Sequence, residues 1–293
     1  MKRRYDLTAG ALYIGPSLVV LALIAAAPLF VAVSTSMTDA NLHNLAMRQF
    51  TGLENYVRLF RDPRFVSSVS ITLGFTAISV GASMVAGFVL ALMMQRVFPG
   101  KNLIRALLTI PMIMTPVVSA TMYRVFFFDA DRGLVNWILN VVGLSGPAWM
   151  ASMPFAFISI CLVQSWFMTP FVFVISDASM QGLPSQPFDA AKIDGANYRQ
   201  RITRIMLPMM RSSLIFALIF RITIDYRMFD TIYVMTRGGP ARHTEVLSVW
   251  TYNRALRSFD VGYANAGAVV MAVIVSVVCL GLVLYNYRKG AEY

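Results

Sequence analysis

The sequence predicts an all-α membrane protein with six transmembrane helices. Three observations carry that prediction. The 293 residues are 57% hydrophobic and 13% charged, with a mean hydropathy of +0.64, which is too apolar for an ordinary water-soluble domain. Six stretches each supply the roughly 20 mostly apolar residues that a helix needs to cross a bilayer core, where no water satisfies unpaired backbone groups. Only short polar segments separate them, so residues 1–293 read as one membrane domain.

The expected spans are residues 12–33, 67–94, 106–128, 153–176, 212–236 and 263–287. The first follows Lys2-Arg3-Arg4, exceeds the usual leader core of about 7 to 15 residues and lacks a clear A-x-A cleavage site, so it reads as an uncleaved span. In the second, Ala77 with Gly81 and Ser83 with Gly87 form small-xxx-small pairs that allow helices to approach closely. Pro111, Pro116 and Pro170 interrupt the helical ladder of spans three and four and mark kinks.

Six spans place both termini on one side. Lys2, Arg3, Arg4, Arg96, Lys101, Arg105, Lys192, Arg199, Arg201, Arg204, Arg211, Arg288 and Lys289 fall on that side, against a more diluted set from Arg48 to Arg257 opposite. The bias predicts cytoplasmic termini. The formal charge of +11 is spread between apolar runs as topology signals, so no nucleic-acid partner is expected. Cys161 and Cys279 lie inside apolar runs without CxxC spacing, and His43 and His243 lack ligand-spaced neighbours. Neither a disulfide nor a metal site is implied. No HExxH or GxSxG pattern points to an enzyme.

Span five carries Arg221, Asp225, Arg227 and Asp230 near membrane depth, where each ionisable group is costly. Arg221 and Asp225 are four apart and Arg227 and Asp230 three apart, so one reading is internal ion pairing that eases insertion. The other is a hydrophilic pocket. In it these groups and Arg124 hydrogen-bond a polar cargo, while Tyr226, Phe229 and Tyr233 offer flat faces.

Between spans four and five, residues 184–208 are too polar to span. Ser185 is placed to cap a helix starting near Gln186, with Pro187 in its first turn and Asp189 favouring the helix dipole. Asp194-Gly195 ends it, and a second amphipathic stretch runs from Asn197 to Met206. Physics alone leaves two readings, a hairpin that docks into a protein cleft and an interfacial helix lying on anionic lipid.

The segment resembles the EAA motif of binding-protein-dependent ABC importer permeases. Asp189-Ala190-Ala191, Asp194-Gly195-Ala196, Ile205 and Leu207-Pro208 match in register, with Asp189 in place of the usual Glu and Ile202 where Phe is common. Gly52-Leu53-Glu54-Asn55-Tyr56 with Asp62-Pro63-Arg64-Phe65, and Phe229-Asp230 through Gly238-Gly239-Pro240, Thr244 and Gly262-Tyr263-Ala264, resemble signatures of the carbohydrate-uptake branch. The resemblance implies a type I ABC importer permease fold with a cytoplasmic coupling helix, and a sugar or polyol cargo. It implies as partners a second, different permease, two cytoplasmic ATPase subunits and an extracytoplasmic substrate-binding protein. The chain has no G-x-x-x-x-G-K-[ST] phosphate loop, so no cofactor is expected on this chain, and ATP and Mg are expected on the ATPase partners. The alternative is an ion-gradient-driven secondary transporter, which favours inverted repeats that this sequence does not display.

Overall fold

The computed structural model describes the backbone of residues 2–44, 47–96 and 98–290, and the side chains of 13–44, 47–96 and 98–288. The side chains of Lys2-Arg3-Arg4 and Lys289, used above for topology, lie outside the described residues. Among the described residues the only β-contacts are two isolated bridges, Thr38 with Phe50 and Asn41 with Asp260. Four helices are long and apolar enough to cross a membrane: Tyr13–Ser36 within α1 (Lys2–Ser36), α3 (Pro63–Met93), α7 (Phe155–Gln181), and Val261–Arg288 within α14 (Val261–Gly290). Two bent helix pairs raise the number of spans to as many as six. Lys101–Ile113 and Pro116–Phe127 meet at 100°, and Tyr198–Met209 and Arg211–Tyr226 at 70°.

The third span bends, as its prolines predict, at Pro116 rather than at Pro111, and the bend of the second pair falls at Met210, just before the expected fifth span. The third breaks at Met114-Thr115, where the Thr115 hydroxyl accepts the Val118 N–H and Pro116 begins α5 (Pro116–Met122). A proline opening a helix forfeits no intrahelical bond, so Pro116 marks a new start. Pro111 and Pro170 instead sit inside the uninterrupted helices α4 (Lys101–Ile113) and α7. The fifth expected span stops at Tyr226, the end of α11 (Arg211–Tyr226), and resumes as the short α12 (Asp230–Met235).

The chain divides into two compact units, Met1–Val66 with Trp250–Ala272, and Ser67–Val249 with Val273–Tyr293. In the first, α1 exposes apolar side chains such as Leu21, Leu23, Ile24 and Phe30, as suits a helix surrounded by lipid. The Gly-Leu-x-Asn-Tyr stretch secures its end. The Asn55 amide, on α2 (Glu54–Arg61), donates to the carbonyls of Ser36 at 2.9 Å and Thr38 at 2.8 Å, and the Tyr56 hydroxyl lies 2.6 Å from Ser36 Oγ. The first of these bonds engages a carbonyl that a helix C-terminus leaves without a partner, and the others hold the residues around it.

Asp62 organises the rest of this unit. Its Oδ1 accepts the Arg64 N–H at 2.9 Å, and its Oδ2 accepts from Arg254 at 3.1 Å and the Tyr263 hydroxyl at 3.0 Å. Burial alone raises the Asp62 carboxyl pKa. The Arg64 N–H, the Tyr263 hydroxyl and the charges of Arg254 and Arg64 outweigh it together and hold the carboxyl below its usual range. A carboxylate lowered on folding stabilises the unit above its unfolded pKa of about 3.9, and loses that contribution as pH falls through the lower folded value. D62N is therefore expected to lower the thermal midpoint at pH 7 and to flatten its fall between pH 7 and pH 3, measured by scanning calorimetry.

In the second unit α7 is central and packs on α4, α5, α11 and α12. Phe75, Ile160, Val163, Ile232, Met235 and Val249 form one core, and Ala91, Met94, Phe173, Met180 and Met210 another. Near the second, the Asp177 carboxylate accepts from Arg105 at 2.8 Å, Gln95 at 3.2 Å and Gln181 at 2.9 Å, which joins α4 and the end of α3 to α7.

Of the two small-residue pairs in α3, only Ser83 with Gly87 marks a close approach. A Cβ on Gly87 would stand 2.6 Å from Val172 Cβ and 2.8 Å from the Phe173 nitrogen, whereas Gly81 has nothing within 4 Å. Ala77 and Gly81 lie on the exposed face of α3, away from the bundle. G87V is expected to cost about 1–3 kcal/mol by overpacking and G81V to leave stability unmoved, compared by thermal melts in detergent.

Candidate functional site

The loop between α7 and α11 folds as a helix, a glycine turn and a second helix. α8 (Gln186–Ile193) begins after Ser185, whose backbone carbonyl accepts from Phe188 at 2.9 Å and Asp189 at 3.0 Å. The Ser185 hydroxyl makes no capping bond, contrary to the sequence expectation, because Ser185 already has helical backbone angles, φ −75° and ψ −28°. The expected stop is present. Gly195 sits at φ +77°, the Ala196 N–H reaches the Ala191 carbonyl at 2.8 Å, and the Gly195 N–H reaches that of Lys192 at 3.2 Å. This pairing closes a helix end through a left-handed glycine.

A second start signal follows. Asn197 Oδ1 accepts the Gln200 N–H at 2.9 Å while Gln200 Oε1 accepts the Asn197 N–H at 2.8 Å, a reciprocal cap that opens α9 (Tyr198–Arg201). The Asn-x-x-Gln spacing is the sequence signal for this second start. The chain continues through the wide helical turn Ile202–Met206 into α10 (Leu207–Met209) and bends at the buried Met210.

Asp189, Ala190, Asp194, Gly195 and Pro208 are exposed, and Ala191, Ala196, Ile205 and Leu207 are half-buried. Asp189 pairs with Lys192 at 2.8 Å on the surface, a contact of small energetic weight. Flanking the glycine turn, Ile193 is 88% and Tyr198 58% exposed. Two large apolar side chains beside a small-residue helix form a surface suited to burial against a partner.

The charged residues of span five divide into two groups. Arg221 and Asp225 are fully enclosed and form a two-pronged pair at 2.7 and 2.6 Å. Ser79 donates to Asp225 at 2.6 Å, Gln164 donates to it at 2.8 Å, and Arg221 Nε reaches Ser83 Oγ at 3.0 Å. Thr231 of α12 then donates to Gln164 at 3.3 Å. All three Arg221 nitrogens and both Asp225 oxygens are engaged, so for this pair the geometry seen is internal ion pairing. Tyr226 beside it is 2% exposed, and its hydroxyl meets no hydrogen-bond partner among the described residues. Ser79, Gln164 and Thr231 escaped the sequence reading, although polar side chains inside a span signal such interhelical bonds.

Arg227 and Asp230 do not meet, because the helix ends between them. Both are exposed, and among the described residues no ion pair joins them. Phe229 and Tyr233 are half-buried and stack on each other with ring centroids 4.8 Å apart. Arg124, in the wide helical turn Tyr123–Phe127 after α5, donates to the Val234 carbonyl at 2.7 Å. Arg124 lines a cavity of about 490 Å³ together with Thr121, Asp129, Trp149, Met150 and Val234. Tyr226, Phe229, Asp230 and Tyr233 are not among the residues of that wall.

Residues 83–288 match the family model described as the inner membrane component of binding-protein-dependent transport systems. This chain belongs to that family. The match takes in the loop between α7 and α11, α11, α12 and only the C-terminal part of α3, while the Asn55 and Asp62 stretches precede it. Among curated relatives of this inner membrane component, the sulfoquinovosyl glycerol transport permease of Agrobacterium fabrum is 34% identical over 91% of the chain and 86% of its own length. The trehalose/maltose transport permease of Thermococcus litoralis is 32% identical over 81% and 77%. Two structures of a bacterial alginate ABC transporter contain chains that align at TM-scores of 0.79 and 0.80, with 20% identity and 98% of this chain covered. The family member thus has the type I ABC importer permease fold that the loop motif implied.

Proposed function

We propose that this permease forms one half of the translocation path of an ATP-driven importer for a sugar or similar polyol. The observation that carries the reading is the exposed helix-glycine-helix loop at 186–209, with Ile193 and Tyr198 uncovered beside Gly195. It has the shape and chemistry to enter a groove on a cytoplasmic ATPase subunit and to move α11 through the bend at Met210. ATP and Mg are then held by two such subunits, and a second, different permease completes the path. Both termini lie in the cytoplasm of a bacterial inner membrane, and a substrate-loaded binding protein delivers cargo from the other side. Relatives named for sulfoquinovosyl glycerol and trehalose/maltose support a sugar cargo.

Within the path, Arg124, Phe229, Asp230 and Tyr233 contact cargo. Arg221, Asp225 and Tyr226 underlie that surface, linked to α12 through Gln164 and Thr231. The test is ATP hydrolysis by the chain co-expressed with its neighbouring genes in lipid nanodiscs, with a panel of sugars and alditols. Stimulation by one cargo and its binding protein supports the importer. Uptake that follows an ion gradient with no ATPase co-purifying overturns it in favour of a secondary transporter.

A further inference from the structure

The cavity beside Arg124 is built more firmly than its place near a loop would require. One wall is Trp149, whose indole N–H donates to Asn136 Oδ1 at 2.6 Å. Asn136 is 4% exposed, and its amide donates to the carbonyls of Ala130 at 2.8 Å and Pro147 at 3.2 Å. Gly146 packs so closely on this amide that a Cβ there would collide with it. The Trp149 ring is further held by Phe128 at 5.4 Å and Phe155 at 5.5 Å. With its only polar atom committed to Asn136, the part of the indole on the cavity wall is apolar carbon, the surface on which the C–H face of a pyranose stacks.

The polar groups on the wall have capacity to spare. Arg124 commits Nη1 to Val234, leaving other guanidinium donors. Asp129 uses Oδ1 for the N–H groups of Asp131 at 3.1 Å and Arg132 at 2.9 Å, which leaves Oδ2 as an acceptor. No ion pair joins Arg124 to Asp129 among the described residues. An open donor and an open carboxylate together suit hydroxyls, which both give and accept, and the carboxylate offsets the attraction that Arg124 alone would exert on an anion. A volume of about 490 Å³ lies within the roughly 300–1,000 Å³ of small-molecule sites.

We propose that this cavity receives a neutral sugar ring, with Trp149 as its stacking face, Arg124 and Asp129 as its hydroxyl partners, and Asn136 as the positioning residue behind Trp149. The inference rests on the transport reading above and deepens it by naming cargo class and residues. On the proposed topology the cavity lies at the outer end of span three, where delivered cargo first meets the permease.

The test uses the assembled transporter in nanodiscs, carrying Ala151→Cys on the cavity wall and a membrane-impermeant maleimide. The probes are trehalose, maltose and methyl glucoside, set against glucuronides and sulfonated glycosides. The expected result is several-fold slower labelling with at least one neutral sugar, and with glucuronides only after D129N. W149A is expected to abolish protection and to raise the half-saturating cargo concentration about tenfold, the size of one aromatic contact, by acting on half-saturation rather than maximal rate. N136L should shift half-saturation in the same direction, and adding it to W149A should add nothing. Protection by no probe, protection by anionic glycosides alone, or an indifferent W149A overturns the inference even where cargo-stimulated ATP hydrolysis is intact. Absence of any co-purifying ATPase overturns the transport reading, and this inference with it.

Discussion

D225A is expected to lower the stability of the protein by about 3–5 kcal/mol, the cost of leaving one partner of a buried pair uncompensated. The substitution strands the fully buried Arg221 guanidinium, removes both of its bonds to Asp225, and takes the acceptor from Ser79 and Gln164. A loss of that size consumes much of an ordinary folding margin of about 5–15 kcal/mol. The yield of monodisperse protein in detergent should fall sharply, with a lowered midpoint for what remains. R221M/D225L, which removes both charges and keeps volume, is expected to melt within about 1–2 kcal/mol of the parent. That pair of variants separates the two readings of these residues. A stable R221M/D225L protein that cannot transport places the charges in the transport cycle, and one that transports normally leaves them a purely architectural role. D225A melting like the parent would contradict the network itself.

The second large effect is expected at Gly195. Its φ of +77° lies where a side chain is strained, and a Cβ there meets nothing within 4 Å. G195V therefore suffers from backbone conformation rather than from crowding, by roughly 1–2 kcal/mol confined to an exposed turn. Membrane insertion and the melting midpoint should change little. The helix end closed by Ala196 and Gly195 reopens, Ile193 and Tyr198 lose their relative placement, and binding-protein-stimulated ATP hydrolysis should collapse. A190L supplies the contrast, because it leaves the turn intact and adds bulk to the exposed face of α8. If A190L also abolishes stimulation, the face of α8 is itself a contact. Full stimulated activity in G195V would remove the coupling role from this loop.

Much of the fold and of the loop was legible in the chain. Residue length and hydropathy located the six apolar stretches, since a helix in lipid must satisfy its own backbone over about 20 residues. The stop at Gly195 was legible because a left-handed helix end is a local demand on one residue. The Ser185 cap was misread, because whether a hydroxyl or only the backbone closes the first turn depends on a ψ angle that composition does not reveal. Asn55 and Asp62 carried the resemblance of their stretches without disclosing their work. Their partners, Ser36 and Thr38 for one and Arg254 and Tyr263 for the other, are 17 to 201 residues away in the chain.

By itself, then, the sequence determined what depends on neighbours along the chain: six apolar segments, a polar hairpin with a glycine turn, and the i, i+4 spacing that lets Arg221 face Asp225. The tertiary structure alone decided what depends on helices meeting. It directed Ser79, Ser83 and Gln164 onto that ion pair, and so turned two charged side chains at membrane depth into a closed interior network. It parted Arg227 from Asp230 by ending α11 at Tyr226, and it set Trp149 against Asn136 to make the cavity beside Arg124. The physical reason is the same in each case. Hydrophobicity and helix spacing act over a few residues, while the choice between pairing inward and facing a cavity belongs to side chains brought together from distant segments.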